Sequence, residues 1–107
     1  PDHPSVATSL NNLAALMQAQ GEHAAAEPLC RRALEILEKR LGPDHASVET
    51  SLNSLALLLW RLGRLDAALP LQEKATSISK RRGDAKEAEY RGELDKMRSG
   101  APYPDKQ

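Results

Sequence analysis

Cys30, His3, His23 and His45 are the side chains of this sequence best suited to nucleophilic, acid–base or metal-binding chemistry. Cys30 lies on the apolar side of a helical pattern, which favours a small core residue over a reactive thiolate. His3 and His45 each end a Pro-Asp-His tripeptide in a turn, where an imidazole more often caps the next helix than binds metal. Stacked helices would hold these two turns roughly 16 to 20 Å apart, too far to share one ion.

Other chemical signatures are equally weak. No Gly-rich phosphate loop, HExxH pairing or Ser/His/Asp grouping stands out, and His23 at a helix start is expected on the surface. Lys80, Arg81 and Arg82 form a short basic run that acidic residues follow, which is typical of a solvated helix end. The sequence therefore predicts no catalytic, cofactor or metal site, and no enzyme.

Composition narrows the class of partner. Charged residues make up 28% of the 107 residues and cancel to a formal net charge of zero, which argues against nucleic acid or an anionic membrane as the partner. The chain contains no apolar run of the ~18 residues that a membrane span needs, and no signal-peptide pattern opens it. A lone cysteine fits a reducing compartment, so we predict a cytoplasmic location.

The elements that must position any functional residue come from a duplication. Shifting the sequence by 42 places aligns the two Pro-Asp-His tripeptides and makes 20 of 42 positions identical. A fixed period of this length indicates stacked helical repeats, each of which buries its apolar side against the next. Because Pro1 falls at a repeat boundary, we expect the chain to be part of a longer array.

Each repeat is predicted to be a pair of helices. In the first helix Leu10, Leu13, Ala14 and Met17 recur at one-face helical spacing. Glycines or Gly-Pro separate the helices, and Asp66 is a plausible N-cap of the fourth helix. The predicted fold is an all-α solenoid of two hairpins, residues 1–42 and 43–84, with a charged capping helix at 85–98 and a disordered tail at 99–107.

These residues resemble the tetratricopeptide repeat, a protein-interaction repeat of paired helices. The resemblance covers roughly residues 1–84, and its pattern is carried by Leu10, Leu13, Ala14, Gly21, Ala26 and Ala33, and again by Leu52, Leu55, Ala56, Gly63, Ala68 and Ala75. Small alanines at these places would let paired helices approach closely. The common form of this repeat has about 34 residues. The longer period of 42 residues and the amino-acid sequences of segments 10–14, 26–34 and 41–48 resemble the repeats of kinesin light chains.

The resemblance also implies a binding groove lined by the first helix of each repeat. The family's groove positions fall on these residues: Thr8, Asn11, Ala15, Gln18 and Ala19, then Thr50, Asn53, Leu57, Trp60 and Arg61. Asn11 and Asn53 are poor choices for a helix interior. Either each amide hydrogen-bonds a peptide main chain, or it links neighbouring helices.

Trp60 and Arg61 are the residue types most enriched at binding hot spots. One hypothesis places both in the groove. The other packs Trp60 beneath the terminal helix, near Leu94 or Met97.

Two functions follow. The first is a protein-interaction module that binds a peptide or partner protein through the groove. The alternative is a structural segment that forms homo-oligomers, since the first helix has no preceding repeat and would leave Ala7, Leu16 and neighbouring apolar positions available.

Overall fold

The computed structural model describes residues 3–104 of the chain, which form helices and, within that range, no strand. The helices are α1 (Pro4–Ala19), α2 (His23–Leu41), α3 (Ala46–Arg61), α4 (Leu65–Arg82) and α5 (Glu87–Arg98). The chain is an all-α helical repeat solenoid, as the period predicted. The first two helices lie within residues 1–42 and the next two within 43–84, and α5 begins two residues later than expected.

The helices stack in chain order. α1 packs on α2, α2 on α3, α3 on α4 and α4 on α5. Contacts between alternate helices define two layers: the Asn11 amide donates to the Ser51 hydroxyl at 3.4 Å, joining α1 to α3, and the Lys74 ammonium lies 3.5 Å from a Glu38 carboxylate oxygen, joining α4 to α2. First helices therefore share one side of the molecule and second helices the other.

Both histidine turns cap a helix. The backbone N–H of Ser5 donates to Nδ1 of His3 at 3.0 Å, and the N–H of Ser47 donates to Nδ1 of His45 at the same distance. These bonds satisfy an otherwise unpaired donor at the start of α1 and of α3. The capping role predicted for the two histidines is confirmed.

The predicted N-cap of α4 was wrong. Arg64 occupies the cap position, without a side-chain bond to the helix, and Asp66 lies inside the first turn. A carboxylate there still faces the positive end of the helix dipole. The helix begins early because Gly63, at a φ of 79°, completes the turn after α3.

Alanines fill the contacts between paired helices. The six that the pattern singled out are at most 1% exposed: Ala14, Ala26, Ala33, Ala56, Ala68 and Ala75. A larger side chain at these places would force packed helices apart. The steric role predicted for them is confirmed.

The outer side of α1 departs from the prediction. Leu13, expected in the core, is 47% exposed, whereas Leu55 at the equivalent place on α3 is 1% exposed. α3 packs on both α2 and α4, whereas α1 packs on α2. Ala7, expected to be available for association, is fully buried. The large apolar side chains that α1 exposes are Val6, Leu13 and Leu16.

The segment after α5 is also unlike its prediction. Residues 99–104 turn back onto α3, where the Trp60 indole N–H donates to the Ala101 carbonyl at 2.7 Å. The expected disordered tail is therefore wrong for residues 99–104, because a buried indole needs an acceptor and this segment supplies it. Residues 105–107 of that predicted tail lie outside the described residues.

Candidate partner-binding surface

We call the α1 and α3 positions predicted to bind a partner the first-helix surface. It comprises Thr8, Asn11 and Gln18 of α1, and Thr50, Asn53, Leu57, Trp60 and Arg61 of α3. The structure divides it into a polar end near the N-termini of the two helices and an aromatic end near the C-terminus of α3.

At the polar end, Thr8, Asn11 and Thr50 line one pocket of about 280 Å³. Thr8 and Thr50 are exposed and Asn11 is half-buried. The other residues that line this pocket are Leu37, Ala46, Ser47 and Ser51. Hydroxyl and amide groups above an apolar floor can donate to and accept from a polypeptide main chain.

The two asparagines differ in their bonding. Asn11 links α1 to α3 through its long bond to Ser51, as the alternative reading of that residue predicted. The side-chain oxygen of Asn53 is buried and accepts no hydrogen bond from any part of the chain that the structure describes. A buried acceptor without a donor costs about 1–3 kcal/mol.

At the aromatic end, the structure places Trp60 in the core, 3% exposed. The Tyr103 ring meets the indole edge-on, with 5.3 Å between ring centroids. The Arg61 guanidinium lies 4.0 Å from the centre of the same ring and donates to the Tyr103 hydroxyl at 2.7 Å. Trp60 is therefore not on open groove surface, and its indole contacts Ala101 and Tyr103 of the tail.

The sequence reading missed the role of Tyr103. Its flanking Pro102 and Pro104 are a signal that could have found it, because prolines favour an extended segment that presents the side chain between them. Leu57, Trp60, Tyr103 and Pro104 line a pocket of about 180 Å³ together with Glu93 and Lys96 of α5. Half-buried Gln18 lines neither this pocket nor the polar one.

Buried polar groups hold α5 in place behind this surface. Gln72 of α4 is fully buried, and its amide donates to the Tyr90 carbonyl at 3.1 Å. In the first repeat Cys30 occupies the equivalent place. The exchange of a thiol for an amide lets α4 bind the backbone of α5.

A second anchor joins α3, α5 and the turn between α4 and α5. Glu49, which replaces the buried Ala7 of the first repeat, is 3% exposed. Burial, followed by the neighbouring Asp84 carboxylate, raises the pKa of Glu49, whereas Tyr90 and Arg82 act to lower it. Burial and Glu49 together raise the pKa of Tyr90 to about 12. A hydrogen bond from the Ser79 hydroxyl is the main cause that lowers the pKa of Asp84.

Glu49→Gln is expected to stabilise the protein at neutral pH. Because the folded-state pKa of Glu49 is raised, its contribution to stability is fully present below the unfolded-state value of about 4.5 and is lost as pH rises through the folded-state value. Glutamine keeps the shape without ionising, so that loss should shrink. Urea unfolding of both proteins at several values from pH 4 to pH 8 measures how the free energy of unfolding falls as pH rises.

Asp84→Asn is the matched control for that experiment. The pKa of Asp84 is lowered, so its contribution is present above about 3.8 and is lost as pH falls through the folded-state value. The asparagine variant should therefore change the acid side of the stability profile. Equal pH profiles for the wild type and Glu49→Gln would contradict the assignment to Glu49.

Cys30 is a core residue, as predicted. It is a free thiol, 4% exposed, and burial, followed by the charge of Glu27, raises its pKa. A raised pKa keeps the thiol protonated and unreactive at neutral pH.

Two larger hollows lie along α4, away from the predicted residues. One of about 420 Å³ includes Asp44, Lys74 and Arg81, and one of about 460 Å³ includes Glu73, Lys80 and Arg98. Opposite charges already pair here: Arg81 donates to Asp44 at 2.6 Å, and Arg98 donates to Glu73 at 3.3 Å. Because their charged groups are already paired with each other, these two hollows are weaker candidates for a binding site than the smaller pockets of the first-helix surface.

Stacked hairpins with alanine seams and polar first-helix faces define an α-helical repeat protein. The family model described as Tetratricopeptide repeat matches residues 5–81, and the chain belongs to that family. Repeats of this family generally mediate protein–protein interaction, and the family is a non-enzymatic scaffold. A comparison with curated proteins gave no match. Within residues 3–104 no helix is both long enough and apolar enough to cross a membrane.

Proposed function

We propose that the chain binds an extended peptide segment of a partner protein along the first-helix surface. The observation that carries the proposal is the pocket of polar groups that Thr8, Asn11 and Thr50 line together on this surface. Its hydroxyl and amide groups can both donate and accept hydrogen bonds. An incoming main chain offers the N–H groups and carbonyls that such a row of side chains can pair with.

The test begins with capture of partners by the intact parent protein, followed by affinity measurements on the purified pair. Asn53→Ala and Asn11→Ala should each weaken binding up to about tenfold, the effect of losing one hydrogen bond. Asn12→Ala and Ser54→Ala, both exposed neighbours, are the matched controls. Unchanged affinity in both asparagine variants, with helix content preserved, would refute the proposal.

The 42-residue period and the sequence of the repeat further support a repeat variant like that of kinesin light chains. We do not extend the motor role of those proteins to this chain. The balanced charge supports a protein partner over nucleic acid or a membrane, and the lone cysteine supports a cytoplasmic location. A partner affinity that falls by less than about tenfold between 50 and 200 mM salt fits this assignment, whereas nucleic-acid binding falls far more steeply.

A second candidate function, homo-oligomerisation, is favoured by the outer side of α1. Val6, Leu13 and Leu16 are 38%, 47% and 56% exposed, whereas the side chains at the equivalent places on α3, which packs on both α2 and α4, are buried. A second copy that pairs its own α1 side with this one would cover the same apolar positions. The expected result is a dimer by sedimentation equilibrium and a monomer for the double variant Leu13→Glu, Leu16→Glu. A monomeric wild type at working concentration would reject it.

A further inference from the structure

The segment after α5 lies on the first-helix surface as a bound peptide would. Gly100 turns the chain after α5 at a φ of 78°, and the Ala101 carbonyl then accepts the bond from Trp60. Pro102 and Pro104 are exposed, and the half-buried side chain between them, Tyr103, points at α3. One backbone bond and one inserted side chain attach this tail segment.

Three features of α3 recognise a tyrosine in particular. The edge-on indole of Trp60 suits any aromatic ring, and the Arg61 guanidinium over the ring adds a cation–π contact. The guanidinium also donates to the phenol hydroxyl, which phenylalanine lacks. The neighbouring pocket of about 180 Å³ has the Leu57 side chain in its wall and leaves space beside the ring.

The first repeat offers a comparison inside the same molecule. Gln18 and Ala19 of α1 occupy the places of Trp60 and Arg61. Neither has an aromatic ring or a charge, so neither can form an aromatic pair, a cation–π contact or a charged hydrogen bond with a tyrosine. The aromatic end is therefore specific to α3 and not a general feature of the repeat.

We propose that Trp60 and Arg61 form a tyrosine-binding subsite, which Tyr103 of the chain's own tail occupies in competition with a proline-flanked tyrosine of the partner segment. The partner part of this statement rests on the proposed function. The tail part does not, because it concerns contacts within one chain. The tail segment thereby raises the affinity that a partner needs in order to bind the aromatic end.

Competition follows from the length of the connection. A short tether gives the tail a local concentration on the order of millimolar. A free peptide of the same sequence must exceed that concentration to bind the wild type. Removing Tyr103 should remove the competition and leave the subsite open.

The single tryptophan of the chain makes tail occupancy measurable. In the 107-residue chain, Tyr103→Ala should shift the emission of Trp60 to longer wavelength, because water reaches the indole. Tyr103→Phe should leave the emission near that of the wild type, because the ring remains. Ser99→Ala, an exposed change in the same tail segment that does not line the pocket, is the matched control, and circular dichroism checks that helix content is unchanged.

A peptide added in trans tests the subsite directly. The nine-residue peptide Ser-Gly-Ala-Pro-Tyr-Pro-Asp-Lys-Gln, titrated to about 5 mM, above the effective concentration of the tether, should restore the short-wavelength emission of Tyr103→Ala. The same peptide with alanine for tyrosine should have no effect. The wild type should need several-fold more peptide than Tyr103→Ala for half-saturation, and adding Arg61→Ala to Tyr103→Ala should weaken binding several-fold.

Three results would overturn the proposal: unchanged Trp60 emission in Tyr103→Ala, no restoration by the tyrosine peptide, or equal half-saturation for the wild type and Tyr103→Ala. If Tyr103→Ala loses helix content, Tyr103→Phe decides instead, since without the Arg61 bond its tail should compete less well than that of the wild type. The proposed function is tested separately by the asparagine variants. Loss of partner binding in those variants without any fluorescence response to the peptide would reject the subsite alone.

Discussion

Leu55→Ala is expected to lower the free energy of unfolding by about 3 kcal/mol. Leu55 is 1% exposed and lies on α3, which packs between α2 and α4. Truncating a fully buried leucine removes apolar contacts and leaves a cavity, at a cost of about 2–5 kcal/mol. In a chain this small, with a typical stability of about 5–15 kcal/mol, such a loss should be plain in a urea titration followed by circular dichroism.

The repeat supplies a matched control for this variant. Leu13→Ala makes the same chemical change at the equivalent place on α1, where the side chain is 47% exposed. Its cost should stay below about 1 kcal/mol, because much of the side chain already contacts water. Equal losses in the two variants would show that the outer side of α1 is covered in solution, which would favour the homo-oligomer.

Trp60→Ala is expected to cost about 3 kcal/mol, near the lower end of the range for a buried tryptophan. The variant removes a core side chain that is 3% exposed and also the bond to the Ala101 carbonyl. Part of the indole is covered by the tail segment and not by a helix, which is why the expected cost is not at the upper end. Chemical denaturation followed by circular dichroism measures it without the tryptophan signal.

Two further variants separate the contributions at Trp60. Trp60→Phe keeps an aromatic ring and loses the indole N–H, so it should cost about 1 kcal/mol for the hydrogen bond and somewhat more for the smaller ring. Gln18→Ala, at the equivalent place on α1, should change stability by less than about 0.5 kcal/mol. A loss in Trp60→Ala no larger than that in Gln18→Ala would contradict the burial of the indole.

Local patterns were enough to predict the hairpins. The spacing of Leu10, Ala14 and Met17 indicates one face of a helix. The glycines between the helices indicate where each helix ends. The capping by His3 and His45 was equally accessible, because an N-cap bond joins residues two apart. Errors at helix ends, such as Asp66 inside the first turn of α4, come from small differences between competing local bonds.

The candidate surface was predicted less completely. Thr8, Asn11 and Thr50 line one pocket, since helical spacing decides which side of a helix a residue faces. The burial of Trp60 depends on residues about 40 places later in the chain. The periodicity of α3 carries no information about such a contact.

The sequence by itself determined the repeat, the two hairpins and the side of each helix that turns inward, because these depend on residues a few places apart. Tertiary structure decided which identical residues differ in environment: Leu13 is exposed and Leu55 is buried because α3 alone of the two has a helix on each side. It also decided the place of Tyr103. Burial depends on which helices and segments the stacking brings together. The repeat pattern compares positions 42 residues apart and therefore carries no information about those neighbours.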